Sequence, residues 1–251
     1  MPRLAAIILT LNEEQHVREC IESVRWADEI VVLDSVSTDR TVELAESAGA
    51  RVVQHVFENY GAQRDIALRI VDTEWVFFID ADERASPALA AEICEKLDHK
   101  ERGWWVPRHN YLFGKLTLGA GWFPDYQLRV MHRLSARYDP TRHVHEEVIL
   151  SGESGYLDQP LIHYNYRDVS HFIEKQEKYT DFEAGIRFRK GLRPKTWTYF
   201  SVPLRQFWWR FVSLHGYRDG LHGLRLSALM AYYEFQTWRR INRLTRTGTH
   251  L

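Results

Sequence analysis

The chain has 251 residues and a mass of 29.7 kDa, with 45% hydrophobic, 27% charged and 13% aromatic residues. That length suits one large domain, or a domain with an appendage, and the composition excludes a disordered chain, a collagen-like repeat and a disulfide scaffold. The formal net charge of −1 hides an asymmetry: residues 187–251 carry 13 Lys and Arg against Asp219 and Glu234, a sum of +11, and the other 186 residues sum to −12. A basic tail on an acidic body predicts that the two parts face different surroundings.

Leu4–Leu9 opens the chain as an apolar run of six residues. It is too short for a signal-peptide core and lacks a small-residue cleavage site. No uncharged apolar stretch reaches about 18 residues, so the expectation is a cytoplasmic protein without an ordinary membrane span. The run is instead what a strand buried on both faces requires. Val17, Cys20, Ile21 and Val24 then recur at i, i+3, i+4 and i+7, the core stripe of a helix. Glu29–Asp34 reads as a second buried strand ending on a carboxylate, and Ser37–Thr41 supplies capping side chains for a helix that stops at Gly49. Arg51–Val56 is the third strand, a helix follows from about Gly61 to Val71, and Trp75–Ile79 is the fourth strand, running into Asp80-Ala-Asp-Glu-Arg84. Pro87 opens a helix to about Leu97. Cys20 and Cys94 both fall in helical segments and read as small buried hydrophobes, with no disulfide or metal role.

Strand and helix signals thus alternate over the first 100 residues, which predicts a parallel α/β sheet. From Trp104 to Tyr166 the pattern changes to short strands, Trp104–Arg108, Gln127–His132 and Leu161–Tyr166, with Gly-rich turns between them. From about Val169 to Arg243 the chain reads as helix, broken near Arg193-Pro194, Pro203 and Gly216. Its aromatics, among them Trp197, Phe200, Trp208, Trp209 and Trp238, stand beside the tail's arginines. Such pairs suit a lipid headgroup layer, where rings bury apolar area and guanidinium groups meet phosphates. A helical hairpin packed on the body is the alternative, and nucleic acid would use the same groups.

Ligands of open α/β sheets collect at the carboxyl ends of the strands. Three such ends are polar here: Thr10-Leu-Asn-Glu13, Asp34 and Asp80-Ala-Asp82. Two carboxylates at i and i+2 past a buried strand turn into one crevice if the chain bends there. Hard oxygen ligands at that spacing suit Mg²⁺ or Mn²⁺ shared with a diphosphate. A bare D-x-D is equally a turn with a helix cap, and its place after the fourth strand favours the metal. A zinc reading of His143-Val-His145-Glu146 lacks a third ligand at helical spacing.

These segments resemble the family 2 inverting glycosyltransferases of the nucleotide-diphospho-sugar (GT-A) fold. The resemblance is carried by Ile8-Leu-Thr-Leu-Asn-Glu-Glu14, Val31-Val-Leu-Asp-Ser-Val-Ser-Thr-Asp39, Gln63-Arg64 and Phe78-Ile-Asp-Ala-Asp-Glu83. It narrows to the bacterial lipopolysaccharide-core β-1,4-glucosyltransferases on His143–Glu146 and on Gly216-Tyr-Arg-Asp-Gly-Leu-His-Gly223. It implies a Rossmann-like mixed α/β sheet flanked by helices in a catalytic domain over residues 1–190, with a nucleotide-binding half to residue 100 and an acceptor half after it. Residues 191–251 form a helical membrane-associating extension. Val36 departs from the family, which usually has Gly there; a β-branched residue disfavours positive φ, so the loop after Asp34 is expected to differ in shape.

By resemblance, Thr10, Asn12 and Glu13 line the nucleotide pocket, and Asp34 accepts from uracil or ribose. Asp80 touches the ribose or the metal's water shell, and Asp82 binds Mg²⁺ or Mn²⁺. Arg64 reaches the diphosphate or pairs with an acid, and Asp39 caps the following helix. The glycine loop Gly119-Ala-Gly121 lies near the donor sugar and precedes Asp125, the base that deprotonates the acceptor hydroxyl. Gln127 and Arg129 orient acceptor or diphosphate, with a strand-edge charge as the alternative for Arg129. A late histidine, His145 first and His163 second, adds a metal or diphosphate contact. The implied reaction moves a hexose, glucose from UDP-glucose first, to a lipid-linked saccharide such as lipopolysaccharide inner core, with another polysaccharide or glycolipid acceptor as the alternative. It would take place at the inner face of the cell membrane, with an anionic membrane surface as partner through the C-terminal helices and no nucleic acid. A homodimer through those helices is the alternative use of them. A nucleotidyltransferase or a dehydrogenase would want a Gly-rich loop after the first strand, where Thr10–Glu14 has none. A non-catalytic scaffold would have no use for both Asp82 and Asp125.

Overall fold

The computed structural model describes residues 3–138 and 148–247. In chain order the elements are β1 (Leu4–Thr10), α1 (Val17–Ser23), β2 (Glu29–Asp34), α2 (Thr41–Ser47), β3 (Arg51–Gln54), α3 (Tyr60–Arg69), β4 (Trp75–Asp80), β5 (Glu83–Arg84) and α4 (Pro87–Lys96). There follow β6 (Gly103–Leu112), β7 (Lys115–Thr117), β8 (Tyr126–His132), β9 (Ala136–Arg137), β10 (Ile149–Leu150), β11 (Ser154–Tyr156), β12 (Leu161–Tyr166), α5 (Val169–Arg189), α6 (Thr198–Trp208) and α7 (Leu221–Thr247). They form two compact units, Met1–Arg108 with Tyr126–His163 and His109–Asp125 with Tyr164–Leu251.

In the first unit, β3, β2, β1 and β4 lie side by side in parallel, with Thr10 opposite Asp34 and Leu9 opposite Asp80. Successive side chains of β1 feed opposite cores, as the period-2 geometry of a strand demands. Ala6 and Ile8 pack with Val17, Cys20, Ile21 and Val24 of the first helical segment, whereas Ala5 and Ile7 pack with Ala67, Leu68 and Val71. β8 then runs antiparallel to β4, and residues 103–107 of β6 run antiparallel to β8, with a bulge between Trp104 and Trp105. The sheet is therefore mixed. β11 adds to β6 in parallel, β10 pairs with β9, and the start of β12 pairs antiparallel with β5. Helix α4 begins as its sequence dictates: Pro87 occupies the first turn and the Ser86 hydroxyl accepts from the Leu89 amide at 3.1 Å.

The second unit is mainly helical. α5 is capped by Asp168, which accepts from the His171 amide at 2.8 Å, and it is tied to α7 by Arg187 on Glu234 at 2.6 Å and by Arg240 on Glu177 and Asp181. Leu112, Tyr166, Phe172, Leu226 and Tyr233 form its core. α5 shares that core and those ion pairs with α7, so residue 190 lies inside the second unit, and the chain passes between the units after Arg108, Asp125 and His163.

Three expectations are corrected. Cys94 is exposed, standing beside the α4 stripe of Leu89, Ala90 and Ile93, and only Cys20 is buried. β6 does not stop at Arg108 but runs to Leu112, turning through Phe113 and Gly114 at positive φ into β7. α6 continues through Pro203, forgoing one backbone donor, and the chain unwinds later, in a single π-helical turn at Trp209–Ser213.

Candidate active site

The apolar strand β4 delivers Asp80 to the carboxyl edge of the sheet, beside the ends of β1 and β2. Immediately afterwards the chain folds back. The Asp80 amide donates to Glu83 Oε2 at 2.9 Å, which closes the Asp80-Ala-Asp-Glu turn. The two residues of β5 then pair with β12, setting His163 opposite Glu83. That register brings His163 Nε2 to 3.5 Å from Asp82 Oδ2.

Asp80 and Asp82 consequently have different partners. Arg129 from β8 grips Asp80 with both terminal nitrogens, Nη1 on Oδ1 at 3.3 Å and Nη2 on Oδ2 at 2.5 Å. Its Nη2 also donates to Glu83 Oε1 at 2.7 Å, and Arg108 Nη1 reaches the same oxygen at 3.3 Å. Arg129 and Glu83 are buried, so two carboxylates and two guanidinium groups compensate one another in low dielectric. Burial alone would raise the Asp80 carboxyl, yet the Arg129 guanidinium, assisted by Arg64 and Arg108, holds it well below the usual carboxylate range. Glu83 shows the opposite balance: burial dominates and pushes its carboxyl up, although Arg129 pulls it back. Burial also works against the charged Arg129, but Asp80 and Glu83 raise its proton affinity further. Arg129 is thus an internal counterion and not a strand-edge charge.

The neighbouring strand ends form a second cluster. Asp34 is buried, and its carboxylate accepts from the Thr10 hydroxyl at 2.9 Å, the Ser37 hydroxyl at 2.5 Å, the Ser37 amide at 2.8 Å and Gln54 Nε2 at 3.2 Å. Four donors occupy both oxygens, so in this structure Asp34 shapes its loop. The loop after β1 and the loop after β2 are stitched together: the Asn12 amide donates to Ser37 Oγ and Asn12 Oδ1 accepts from the Thr38 amide. The Glu13 amide donates to Thr41 Oγ1, the Glu14 amide to Asp39 Oδ2, and the Arg40 amide to Glu14 Oε2. Asp39 also accepts from the Thr41 amide at 3.0 Å, at the first residue of α2. Val36 takes φ +64° in spite of its branched side chain. The loop therefore adopts the left-handed backbone that glycine would supply, held there by the Asp34–Ser37 bonds, and the expectation of a different shape is corrected.

Arg64 on α3 lies 6.0 Å from the centre of the Tyr138 ring and adds to the positive field on Asp80. With Phe78, Trp105, Gln127 and Arg129 these two residues line a cavity of about 370 Å³. In the second unit, the Asp125 carboxylate is half-buried and accepts from Asn110 Nδ2 at 3.1 Å. Asn110, fully buried, also donates to the Trp122 carbonyl at 2.9 Å. Gly121 has φ +82°, and the glycine loop is fastened by the Gly119 amide on Asp219 at 2.7 Å and by Arg210 on the Ala120 carbonyl at 2.7 Å. His143 and His145 lie outside the described residues.

The sequence reading gave no role to Glu83 or Arg108. A signal for Glu83 was present: a buried arginine in the apolar strand Tyr126–His132 needs an acid, and Glu83 follows Asp80 by three residues. Arg108 carried no such signal, because it stood where the strand was read to end. No group of three His, Cys, Asp or Glu side chains comes together among the described residues. Asp82 and His163 nonetheless fit a divalent cation: one carboxylate oxygen and one imidazole nitrogen leave open positions for diphosphate oxygens and water, and a nitrogen donor suits Mn²⁺ better than Mg²⁺.

Comparison with known proteins gives the family and the fold. The profile of Glycosyl transferase family 2 matches residues 5–140. The chain is 33% identical over 95% of its length to the lipopolysaccharide core biosynthesis glycosyltransferase LpsC of Rhizobium meliloti, covering 91% of that protein. It is 25% identical over 97% of its length to an uncharacterized glycosyltransferase of Rickettsia bellii, covering 87% of it. Glucosyl-3-phosphoglycerate synthase of Mycobacterium tuberculosis, solved with phosphoglyceric acid, shares the fold with a TM-score of 0.51 at 18% identity, over 78% of this chain and 82% of that one. The chain belongs to glycosyl transferase family 2: it is a glycosyltransferase with a GT-A-like mixed sheet.

Proposed function

We propose that the chain transfers a hexose with inversion, glucose from UDP-glucose first, to a hydroxyl of a lipid-linked saccharide such as lipopolysaccharide inner core, with Mn²⁺ or Mg²⁺. The observation that carries the donor half is the Asp82–His163 pair at 3.5 Å beside the ends of β1, β2 and β4. The acceptor class is supported by the likeness to LpsC, which is named for lipopolysaccharide core biosynthesis. Asp82 and His163 would hold the cation, which supplies positive charge to the departing diphosphate. Arg129 and Glu83 fix the strand end from which Asp82 projects, and Thr10, Asn12 and Glu13 frame the nucleotide side of the same edge.

In a single displacement, the acceptor oxygen bonds to the anomeric carbon while the bond from that carbon to the diphosphate breaks. Asp125 takes the hydroxyl proton, and Asn110 holds that carboxylate in one orientation. Release of UDP from UDP-glucose, followed with and without Mn²⁺, tests the scheme. Asp82→Asn is expected to lower metal-dependent turnover by about 10³-fold or more, and Asp125→Asn by about 10²–10⁴-fold with donor affinity retained. Near-normal turnover in Asp125→Asn would remove that residue as the base. A melting temperature unmoved by any nucleotide sugar with Mn²⁺ would sink the donor assignment.

A further inference from the structure

The glycine loop that precedes Asp125 rests on the segment joining α6 to α7. The Ala120 amide donates to the Leu214 carbonyl at 2.8 Å, and the Ala120 carbonyl accepts from Arg210 Nη1 at 2.7 Å. Asp219 accepts from the Gly119 amide through Oδ2 at 2.7 Å and from the Leu118 amide through Oδ1 at 3.4 Å. Backbone lies directly on backbone: a Cβ at Gly119 would stand 2.5 Å from the His215 carbonyl oxygen.

Both sides of this contact are strained. Ala120, fully buried, takes φ +54° without being glycine, and His215 takes the same value. The chain reaches His215 through the π-helical turn at Trp209–Ser213. Such departures cost stability and persist only where the surroundings over-determine them. Arg210 adds a further cost. Among the described residues it forms no ion pair, and its Nε is sealed from solvent without a hydrogen-bond partner. Glu234, whose charge favours it, is bonded to Arg187. A guanidinium buried without an acid is a poor way to stabilise a fold.

What Arg210 does accomplish is to fix the Ala120 carbonyl, and with it the loop leading to Asp125. Two residues on, the Trp122 carbonyl accepts from Asn110 Nδ2 at 2.9 Å, and the same nitrogen donates to the Asp125 carboxylate at 3.1 Å. One amide group therefore sets both the loop and the carboxylate, so a displaced loop would draw Asn110 away from Asp125. We propose that Arg210 and Asp219 are positioning residues for transfer, holding the Gly119–Trp122 loop so that Asn110 presents the Asp125 carboxylate to the acceptor hydroxyl. This rests on Asp125 as the base; both residues act through Asn110, and neither takes the proton.

The test is release of UDP from UDP-glucose with Mn²⁺ by the full chain. Arg210→Ala and Asp219→Ala should each lower kcat about 10–100-fold. The KM for UDP-glucose should stay within about twofold, because donor binding is untouched. Dilute guanidinium chloride should restore part of the Arg210→Ala rate, and sodium chloride at the same concentration should not. Asp219→Asn keeps an accepting oxygen and should recover most of what Asp219→Ala loses. Arg210→Lys keeps the charge on a different donor geometry and should fall between parent and Arg210→Ala. Adding Arg210→Ala to Asp125→Asn should cost little beyond Asp125→Asn alone, since both act on one group. A further readout needs no donor: the fluorine resonance of 5-fluorotryptophan at Trp122, identified by its loss in Trp122→Phe, should move in both alanine variants. The proposal is overturned if Asp125→Asn is impaired while Arg210→Ala and Asp219→Ala keep the parent rate. It is equally overturned if the losses multiply in the double variant, or if the Trp122 resonance stays in place. Near-normal turnover in Asp125→Asn would remove the base, and this inference with it.

Discussion

Arginine has opposite fates in the two units. In the sheet unit the Arg129 side chain is 5% exposed, and its terminal nitrogens meet Asp80 and Glu83 at hydrogen-bond distance. In the helical unit Arg243 and Arg246 are exposed and, among the described residues, form no ion pair. A guanidinium buried between two carboxylates fixes geometry, because removing it takes the nearest counter-charge from both. A guanidinium left outside contributes little to folding. Net charge cannot distinguish the two cases; burial and partners do.

The contrast can be broken by substitution. Arg129→Met leaves Asp80 and Glu83 with only the weaker compensation of Arg108 and Arg64, and should destabilise by about 3–5 kcal/mol in urea unfolding. Arg243→Gln should stay within about 0.5 kcal/mol of the parent in the same measurement. Comparable losses from both would show that the helical arginines are structural after all.

A pH series sharpens the buried half. The Asp80 carboxyl is depressed in the folded chain, so its stabilisation is complete above its ordinary value of 3.8 and drains away as pH falls below it. Glu83 is raised and works in the other direction: its contribution is present at low pH and is lost as pH rises through its elevated value. Urea midpoints of the parent and of Asp80→Asn should therefore converge below about pH 4. A constant gap would mean that the Arg129 pair does not set the Asp80 carboxyl. A smaller effect than that of Arg129 is expected at the neighbouring loop, where Val36→Gly relieves a φ of +64°. A gain of about 1 kcal/mol, or roughly 2–4 °C in melting temperature, is expected, and a loss would show that the branched side chain packs usefully.

Much of the sheet unit was legible because its signals are redundant. β1, β2 and β4 are continuous apolar runs that end on polar residues, and strand polarity then placed Thr10, Asp34 and Asp80 on one edge without further information. The extension of β6 was hidden because Pro107 and the buried Asn110 both look like loop residues, yet Pro107 sits opposite Tyr126 and Asn110 opposite Thr117 within the strand. The separate fates of Asp80 and Asp82 were equally hidden. They depend on which long-range partner arrives, Arg129 from β8 or His163 from β12, and sequence spacing says nothing about that. In the tail, composition revealed an excess of arginine and tryptophan. Only the structure separates Tyr233, in the core, from Phe200, which faces outward.

The stitched loops that follow β1 and β2 carry one last consequence. The Asn12, Glu13 and Glu14 amides are held by side chains of one loop, and the Thr38 and Arg40 amides by side chains of the other. Neither segment can swing out alone without orphaning donors on its neighbour. Hydrogen exchange at these five amides should therefore proceed through one shared opening event, and a molecule that clamps either segment would slow exchange in both.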